Sequence, residues 1–285
     1  MNTSFLKSKA NPNDELYTRI DDVRAEMVHY NFSGKWVYCP CDTKESAFFK
    51  FFYENFKLLG IENLYCTSYN PNGKGKFVQY NGKEIFEHEL NCSGDFLSDD
   101  MLTYYHFADI VVTNPPFSLF RKFTDLLHKL DKDYIIVGIE SACVYKDFFP
   151  YIQEGKVTTG HSLIKSFINE NGEIVKFGNI CWWTNVNTDK KTWVPNIEYS
   201  IEYPILDNYD AVLINKVNDI PSNCNKVMAV PVSYISKHNT ELFDIVGVTS
   251  STKENAGKYY NGKLSTSAYI NGKKKFARLL IKKVV

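Results

Sequence analysis

The apolar run Ala108-Asp109-Ile110-Val111-Val112-Thr113 stops at Asn114-Pro115-Pro116-Phe117. Proline has no backbone N–H to give to a sheet ladder and holds φ fixed, so two in succession end a strand and stiffen the loop after it. In α/β folds, ligands bind where strands end in this way. The loop also carries chemistry: the Asn114 side-chain oxygen and the Pro115 carbonyl are acceptors, Pro116 adds no competing donor, and Phe117 offers a ring face. Such a set suits an exocyclic amine on adenine, whose lone pair is delocalised into the ring and is drawn out only by acceptors held in fixed positions. The same four residues also read as a plain proline-stiffened turn, so their surroundings must decide.

Those surroundings alternate between strand and helix patterns. Trp36 to Cys39 reads as a first strand, Glu45 to Leu58 as a helix rich in phenylalanine, and Asn63 to Thr67 as a second strand. Asn70 to Lys83 is polar and glycine-rich, as a hairpin or loop would be, and Gly94-Asp95-Phe96 starts a turn. Leu119 to Leu130 predicts the helix after the Asn-Pro-Pro-Phe loop, and Tyr134 to Ile139 a further buried strand. The expected fold class is α/β, a doubly wound, mostly parallel sheet. After Tyr151 the helical spacing fades; Lys176 to Asn185 predicts a hairpin extension of the sheet, followed by a smaller C-terminal α+β region from about Thr192.

With 285 residues, the chain is long enough for one large core and a smaller appended domain. Seven cysteines with no close CxxC pair point to reduced thiols and a cytoplasmic setting. No uninterrupted apolar stretch approaches the ~18 residues of a membrane span, so no membrane partner is expected. Six scattered histidines predict no metal site. Net charge is zero from 33 basic and 33 acidic side chains, yet from Lys253 to Val285 there are nine basic residues against the single acid Glu254. Lys273, Lys274 and Arg278 belong to that stretch, which suits phosphate contact or a solvated face equally well.

The loop after the first strand, Pro40-Cys41-Asp42-Thr43, lacks the G-x-G spacing that admits a dinucleotide pyrophosphate, which argues against a nicotinamide oxidoreductase. Asp42 would take a hydroxyl or amino group of a cofactor, or would cap the helix that follows. Asp95 would accept the amine of a cofactor adenine with Phe96 alongside the ring, or would be a turn aspartate.

Taken in order, Asn13 to Arg19, Tyr38 to Asp42, Thr67 to Gly73, Gly94 to Phe96, Asn114 to Phe117, Phe177 to Asn185, Val230 to Val232, Phe243 to Gly247 and Asn271 to Lys282 resemble one family. It is the EcoRI-type adenine-specific DNA methyltransferases, S-adenosylmethionine-dependent enzymes of the Rossmann-like class. The resemblance implies methylation of adenine N6 at a specific site in double-stranded DNA. It implies a catalytic set of Asn114, Pro115, Pro116 and Phe117, and a donor held by Tyr17, Thr18, Pro40, Cys41, Asp42, Ser68, Asp95 and Phe96. Trp182 or Trp183 would face the extruded base, only one of them because neighbours on a strand point to opposite faces. Residues 1–191 would be the S-adenosylmethionine-binding catalytic domain, and residues 192–285 a target-recognition region in which Lys273, Lys274 and Arg278 contact DNA. Arg19, Asp21 and Asp22 are expected on the solvated face of a helix. The second strand ends in Cys66-Thr67-Ser68, without the acid that usually grips the donor ribose. A companion restriction endonuclease would be encoded separately, with no stable complex expected. An RNA adenine or protein glutamine methyltransferase would use the same loop; a catalytically inactive nucleic-acid-binding relic is the other alternative, against which the intact Asn114, Pro115, Pro116, Phe117 and Asp95 argue.

Overall fold

The computed structural model describes residues 16–186, 193–200, 202–250 and 266–284. Asn13 to Glu15, Thr192, Lys253, Glu254, Lys258 and Lys263 lie outside the described residues. The chain divides into two compact units, Met1–Ile139 with Thr159–Asp189, and Glu140–Thr158 with Lys190–Val285. The second unit thus takes up Glu140–Thr158, which the sequence assigned to the first.

The first unit contains β1 (Tyr17–Thr18), α1 (Ile20–Met27), β2 (Trp36–Pro40), α2 (Ala47–Glu54), β3 (Asn63–Ser68), β4 (Lys76–Tyr80), β5 (Ile85–Glu89), α3 (Leu102–Phe107), β6 (Ile110–Thr113), α4 (Phe120–Lys129) and β7 (Asp133–Ile139). After α5 (Phe149–Gln153), which belongs to the second unit, it resumes with β8 (Thr158–Leu163), β9 (Ser166–Ile168), β10 (Ile174–Lys176) and β11 (Ile180–Thr184). An eight-stranded sheet runs in the order β5-β4-β3-β2-β6-β7-β11-β8. Its centre, β3-β2-β6-β7, is parallel. The pairs β3/β4, β4/β5 and β7/β11 are antiparallel. The expectation of a mostly parallel sheet is therefore corrected to a mixed one. The segment read as a hairpin or loop at Asn70 to Lys83 pairs as β4, and β5 extends that edge. The hairpin extension expected from Lys176 to Asn185 is corrected: Lys176 ends β10, which pairs in a separate small sheet, and only β11 joins the eight-stranded sheet, the two parted where Asn179 takes a left-handed φ of 61°.

Sequence explains which face each side chain takes. On β2, Val37 and Cys39 belong to one apolar cluster with Val23 and Met27 of α1 and Phe48, Phe49, Phe51 and Phe52 of α2. Ser46 caps α2 by accepting the Phe49 N–H at 3.2 Å, and each ring the helix buries contributes about 1.5 to 3 kcal/mol over exposure. Tyr38 points the other way, stacked on Tyr65 at 4.9 Å and edge-on to Tyr105 of α3 at 5.1 Å, so helices cover both faces of the sheet. At the far edge, the buried Glu26 carboxylate accepts the Tyr30 hydroxyl at 2.7 Å, the His161 N–H at 2.8 Å and the Ser162 N–H at 2.6 Å. A Cβ at Gly160 would collide with that carboxylate.

The order of the parallel strands positions the site. The chain passes from β2 to β3 on one side, then returns to place β6 on the other side of β2. Loops leaving β2 and β6 therefore diverge, and the carboxyl ends of these two strands flank a switch point of the kind where α/β sheets bind ligands. The same unit holds a small antiparallel sheet, β1-β9-β10, with Thr18 opposite Phe167.

The second unit is built on a four-stranded sheet, β12-β13-β17-β14, comprising Val212–Leu213, Met228–Pro231, Arg278–Lys283 and Phe243–Val248. Its chain also forms a short hairpin of β15 (Tyr269–Ile270) and β16 (Lys273–Lys274). Among the described residues beyond Gln153 there are 3-10 turns and strands but no α-helix, where the sequence predicts an α+β region. None of the described helices is long and apolar enough to cross a membrane.

Candidate active site

Thr113, the last residue of β6, ties the two diverging loops together. Its hydroxyl lies 2.8 Å from Asp42 Oδ2 and also meets the Pro40 carbonyl, while the Asp42 N–H donates to the Thr67 carbonyl at 3.1 Å. Asp42 does not cap the following helix; Ser46 does. Burial pushes the Asp42 carboxyl up to about 7, against the opposing pull of hydrogen bonds from Thr113 and Ser46. Cys41 holds φ at 64°, a left-handed conformation unusual for a residue with a Cβ, and burial together with Asp42 and Asp95 holds its thiol well above the usual range.

At the end of β3, the Ser68 carbonyl is crowded by Gly75 and Gly94; a Cβ on either glycine would collide with it, and Gly94 has φ 77°. Asp95 is buried, its Oδ1 accepting the Leu97 N–H at 3.1 Å and its carbonyl the Ser98 N–H at 2.8 Å. The neighbouring Tyr69 phenol is raised by burial and by Asp95, which brings into this corner a residue with no role expected from sequence. Phe96 differs from expectation: its ring is buried edge-on to Phe123 at 5.2 Å, so it belongs to the core and offers no face to a cofactor adenine.

The Asn-Pro-Pro-Phe loop is fixed from the N-terminal side. Asn114 Nδ2 donates to the Leu16 carbonyl at 2.6 Å, and Asn114 Oδ1 is buried with no hydrogen-bond partner among the described residues. Pro115 is buried and Pro116 half-buried. Phe117 is half-buried, stacked on Phe177 at 5.7 Å and edge-on to Phe167 at 6.2 Å. Phe177 was visible in sequence only as part of a run; no residue spacing linked it to Phe117.

Strand alternation separates Tyr17 from Thr18. Tyr17 is 54% exposed, whereas Thr18 is buried and its Oγ1 has no hydrogen-bond partner among the described residues. Four residues on, in the first turn of α1, Asp22 Oδ2 is likewise buried and unpartnered among them, and burial raises its carboxyl. The solvated face expected of Arg19, Asp21 and Asp22 therefore excludes Asp22. Asp21 is exposed beside Arg24, and Arg19 reaches Ser166 at 3.3 Å.

The tryptophan pair is also corrected. Trp182 joins the cluster around α2, edge-on to Phe48 at 6.0 Å, and Trp183 donates Nε1–H to the Ile139 carbonyl at 3.2 Å from the opposite face. Both are fully buried, so neither presents a ring face to a base. In the second unit Lys273 and Lys274 are exposed on the β16 side of the hairpin, while Arg278 is half-buried in β17, its Nε without a partner among the described residues. Among the described residues, no group of three or more His, Cys, Asp or Glu side chains is arranged to hold a metal ion.

Residues 4–84 and 74–284 match a family profile described as adenine-specific methyltransferase EcoRI. The Type II methyltransferase M.EcoRI of Escherichia coli is 33% identical, over 99% of this chain and 96% of its own. Type II methyltransferase M.MgeORF184P of Mycoplasma genitalium is 31% identical over 98% of both chains, and M.MpnI of Mycoplasma pneumoniae 30% identical over 98% of this chain and 97% of its own. No solved structure matches.

Proposed function

Because the chain belongs to the EcoRI adenine-specific methyltransferase family, we propose that it transfers a methyl group from S-adenosylmethionine to N6 of an adenine swung out of duplex DNA. The Asn114 amide carries this reading. Its Nδ2 is committed to the Leu16 carbonyl, which fixes the amide orientation and leaves Oδ1 as a buried acceptor without a donor among the described residues. Leaving such a group unsatisfied costs about 1 to 3 kcal/mol, a cost that an arriving amine N–H removes.

The adenine amine brings two N–H groups, one for Asn114 Oδ1 and one for the Pro115 carbonyl. As its nitrogen takes on positive charge during transfer, both become stronger donors, so the two acceptors hold the transition state more tightly than the ground state. The proton is lost after the methyl has arrived, and no strong base is required beforehand. Phe117, its orientation set by Phe177 and Phe167, stacks on the extruded base.

S-adenosylmethionine supplies an electrophilic sulfonium methyl when bound. The residues of the first unit fit such a donor, since Thr18 Oγ1 and Asp22 Oδ2 are buried acceptor oxygens without partners among the described residues. They would take its ammonium and hydroxyl groups together with Asp42, Ser68, Asp95 and the Pro40-Cys41 backbone. The parallel centre with its reversal between β2 and β6 supports a Rossmann-like reading of the first unit. The second unit, with its lysine-bearing hairpin, serves as the DNA-contact region.

Modified-base sequencing of DNA from a bacterial host free of adenine methylation, expressing the chain or its Asn114→Ala variant, tests this. We expect N6-methyladenine in one sequence context, absent with the variant. An unmarked genome from a folded, donor-binding wild-type protein would move the substrate to RNA or protein.

A further inference from the structure

Phe276 is 86% exposed although the backbone on both sides of it is pinned. The Lys275 N–H donates to the Ala268 carbonyl at 2.8 Å, and the Arg278 N–H to the Thr249 hydroxyl at 2.9 Å. Just upstream, the β15–β16 hairpin turns through Asn271 and Gly272 at φ 49° and 71°, the left-handed pair of a two-residue type I′ turn. Asp207 clamps that turn, accepting the N–H of Asn271 at 3.0 Å and of Gly272 at 2.9 Å, while its own N–H donates to the Tyr269 carbonyl at 2.9 Å. The ring is therefore displayed on a braced mount, not carried on a loose loop that has failed to collapse.

Its neighbours select the partner. Lys273, Lys274, Lys275 and Arg278 all lie within three residues of it in sequence. Four cations within three residues of one exposed aromatic match a polyanion with stacked flat rings inside it, and match neither an acidic peptide nor an apolar protein face as well. Resting on the DNA methylation proposed for this chain, we infer that Phe276 is a wedge that enters the base stack of the substrate duplex and opens one base step. Lys273, Lys274 and Arg278 hold the flanking phosphates. Apolar side chains inserted between base pairs unstack and kink DNA in this way, and the larger protein surface that a bent duplex wraps offsets the cost.

The test uses the full chain and duplexes carrying the site it methylates, with 2-aminopurine placed at each position of the site and its flanks in turn. At one step, wild-type protein should raise 2-aminopurine fluorescence. Phe276→Ala should cut that rise by at least about tenfold, within what one stacked base is worth, while Phe276→Trp retains it. Donor binding should be unchanged in both variants. A mismatch at the opened step should restore Phe276→Ala to near wild-type methylation, a rescue that a merely structural role for the ring would not show. An unchanged fluorescence rise in Phe276→Ala bound to the duplex would overturn the wedge and leave the methyltransferase reading standing. A folded wild-type protein that leaves DNA unmethylated would remove both. Dimerisation through Phe276, detected as a Phe276-dependent change in mass by sedimentation with no fluorescence step, would assign the ring to a second copy and overturn the wedge as well.

Discussion

The Asn-Pro-Pro-Phe corner and the C-terminal hairpin break the usual rules of folded chains in opposite directions. The first unit buries polar atoms without partners among the described residues, at Asn114 Oδ1, Thr18 Oγ1 and Asp22 Oδ2. Two residues past the hairpin, Phe276 leaves its ring in water on a backbone held by hydrogen bonds. A buried polar atom gains from a ligand that supplies one specific hydrogen bond, so the corner is suited to recognising chemistry. An exposed ring gains from any stacked surface, so the hairpin is suited to gripping shape.

The largest effects should come from the corner. Asn114→Ala should reduce methylation of DNA by about a thousandfold or more, the upper range for deleting one group aimed at developing charge, with a circular dichroism spectrum and donor affinity like those of wild type. If turnover survives in the folded variant, the orphaned acceptor is not the catalytic one and the contrast collapses. Comparable in energy but different in kind, Trp183→Ala should cost about 3 to 5 kcal/mol in denaturant unfolding, because this ring fills core space. A variant that keeps wild-type stability while losing DNA affinity would return Trp183 to the substrate side.

Asp42 sharpens the comparison through pH. Its folded-state carboxyl is raised by burial to about 7 from an ordinary value of 3.8, so its contribution to stability is fully present below the lower value and is lost as pH rises through the higher one. Asp42→Asn should therefore gain on wild type in melting temperature between pH 4 and 7, by an amount corresponding to a few kcal/mol, and track it below pH 4. Parallel melting curves across that range would show that the carboxyl is not desolvated. Phe177→Ala should lower kcat/KM for DNA by about tenfold, within the value of one aromatic stack, by releasing Phe117. The smallest effect belongs to the hairpin: Lys273→Ala or Lys274→Ala should each reduce the slope of log affinity against log salt by about 0.9. An unaltered slope would leave the hairpin without a phosphate contact.

What sequence revealed depends on how local each signal is. The strands at Trp36, Asn63, Ile110 and Tyr134 and the helices at Phe48 and Phe120 were readable because apolar periodicity and proline stops are short-range properties. The switch between β2 and β6 was not, since strand order is decided by packing of distant segments. β5 hid because its five residues are exposed and show no alternation. For the site, Asn114 stood out as a strand-end motif, but the commitment of its Nδ2 to Leu16 spans 98 residues and leaves no local trace. Trp182 and Trp183 misled because an aromatic pair on a strand reads the same in sequence whether its rings meet a base or a core. Asp22 sits within a charged helical start that looks solvated until burial is seen.

The Glu26 carboxylate has a consequence for how the chain is made. Its partners His161 and Ser162 follow it by 135 and 136 residues. During synthesis the ribosome therefore delivers α1 long before the groups that bind its Glu26 side chain, and between them it delivers Glu140–Thr158, which belongs to the other unit. The Glu26 clasp therefore forms only once β8 has been made, so the first helix of the unit is braced by residues that lie on the far side of a segment of the other unit.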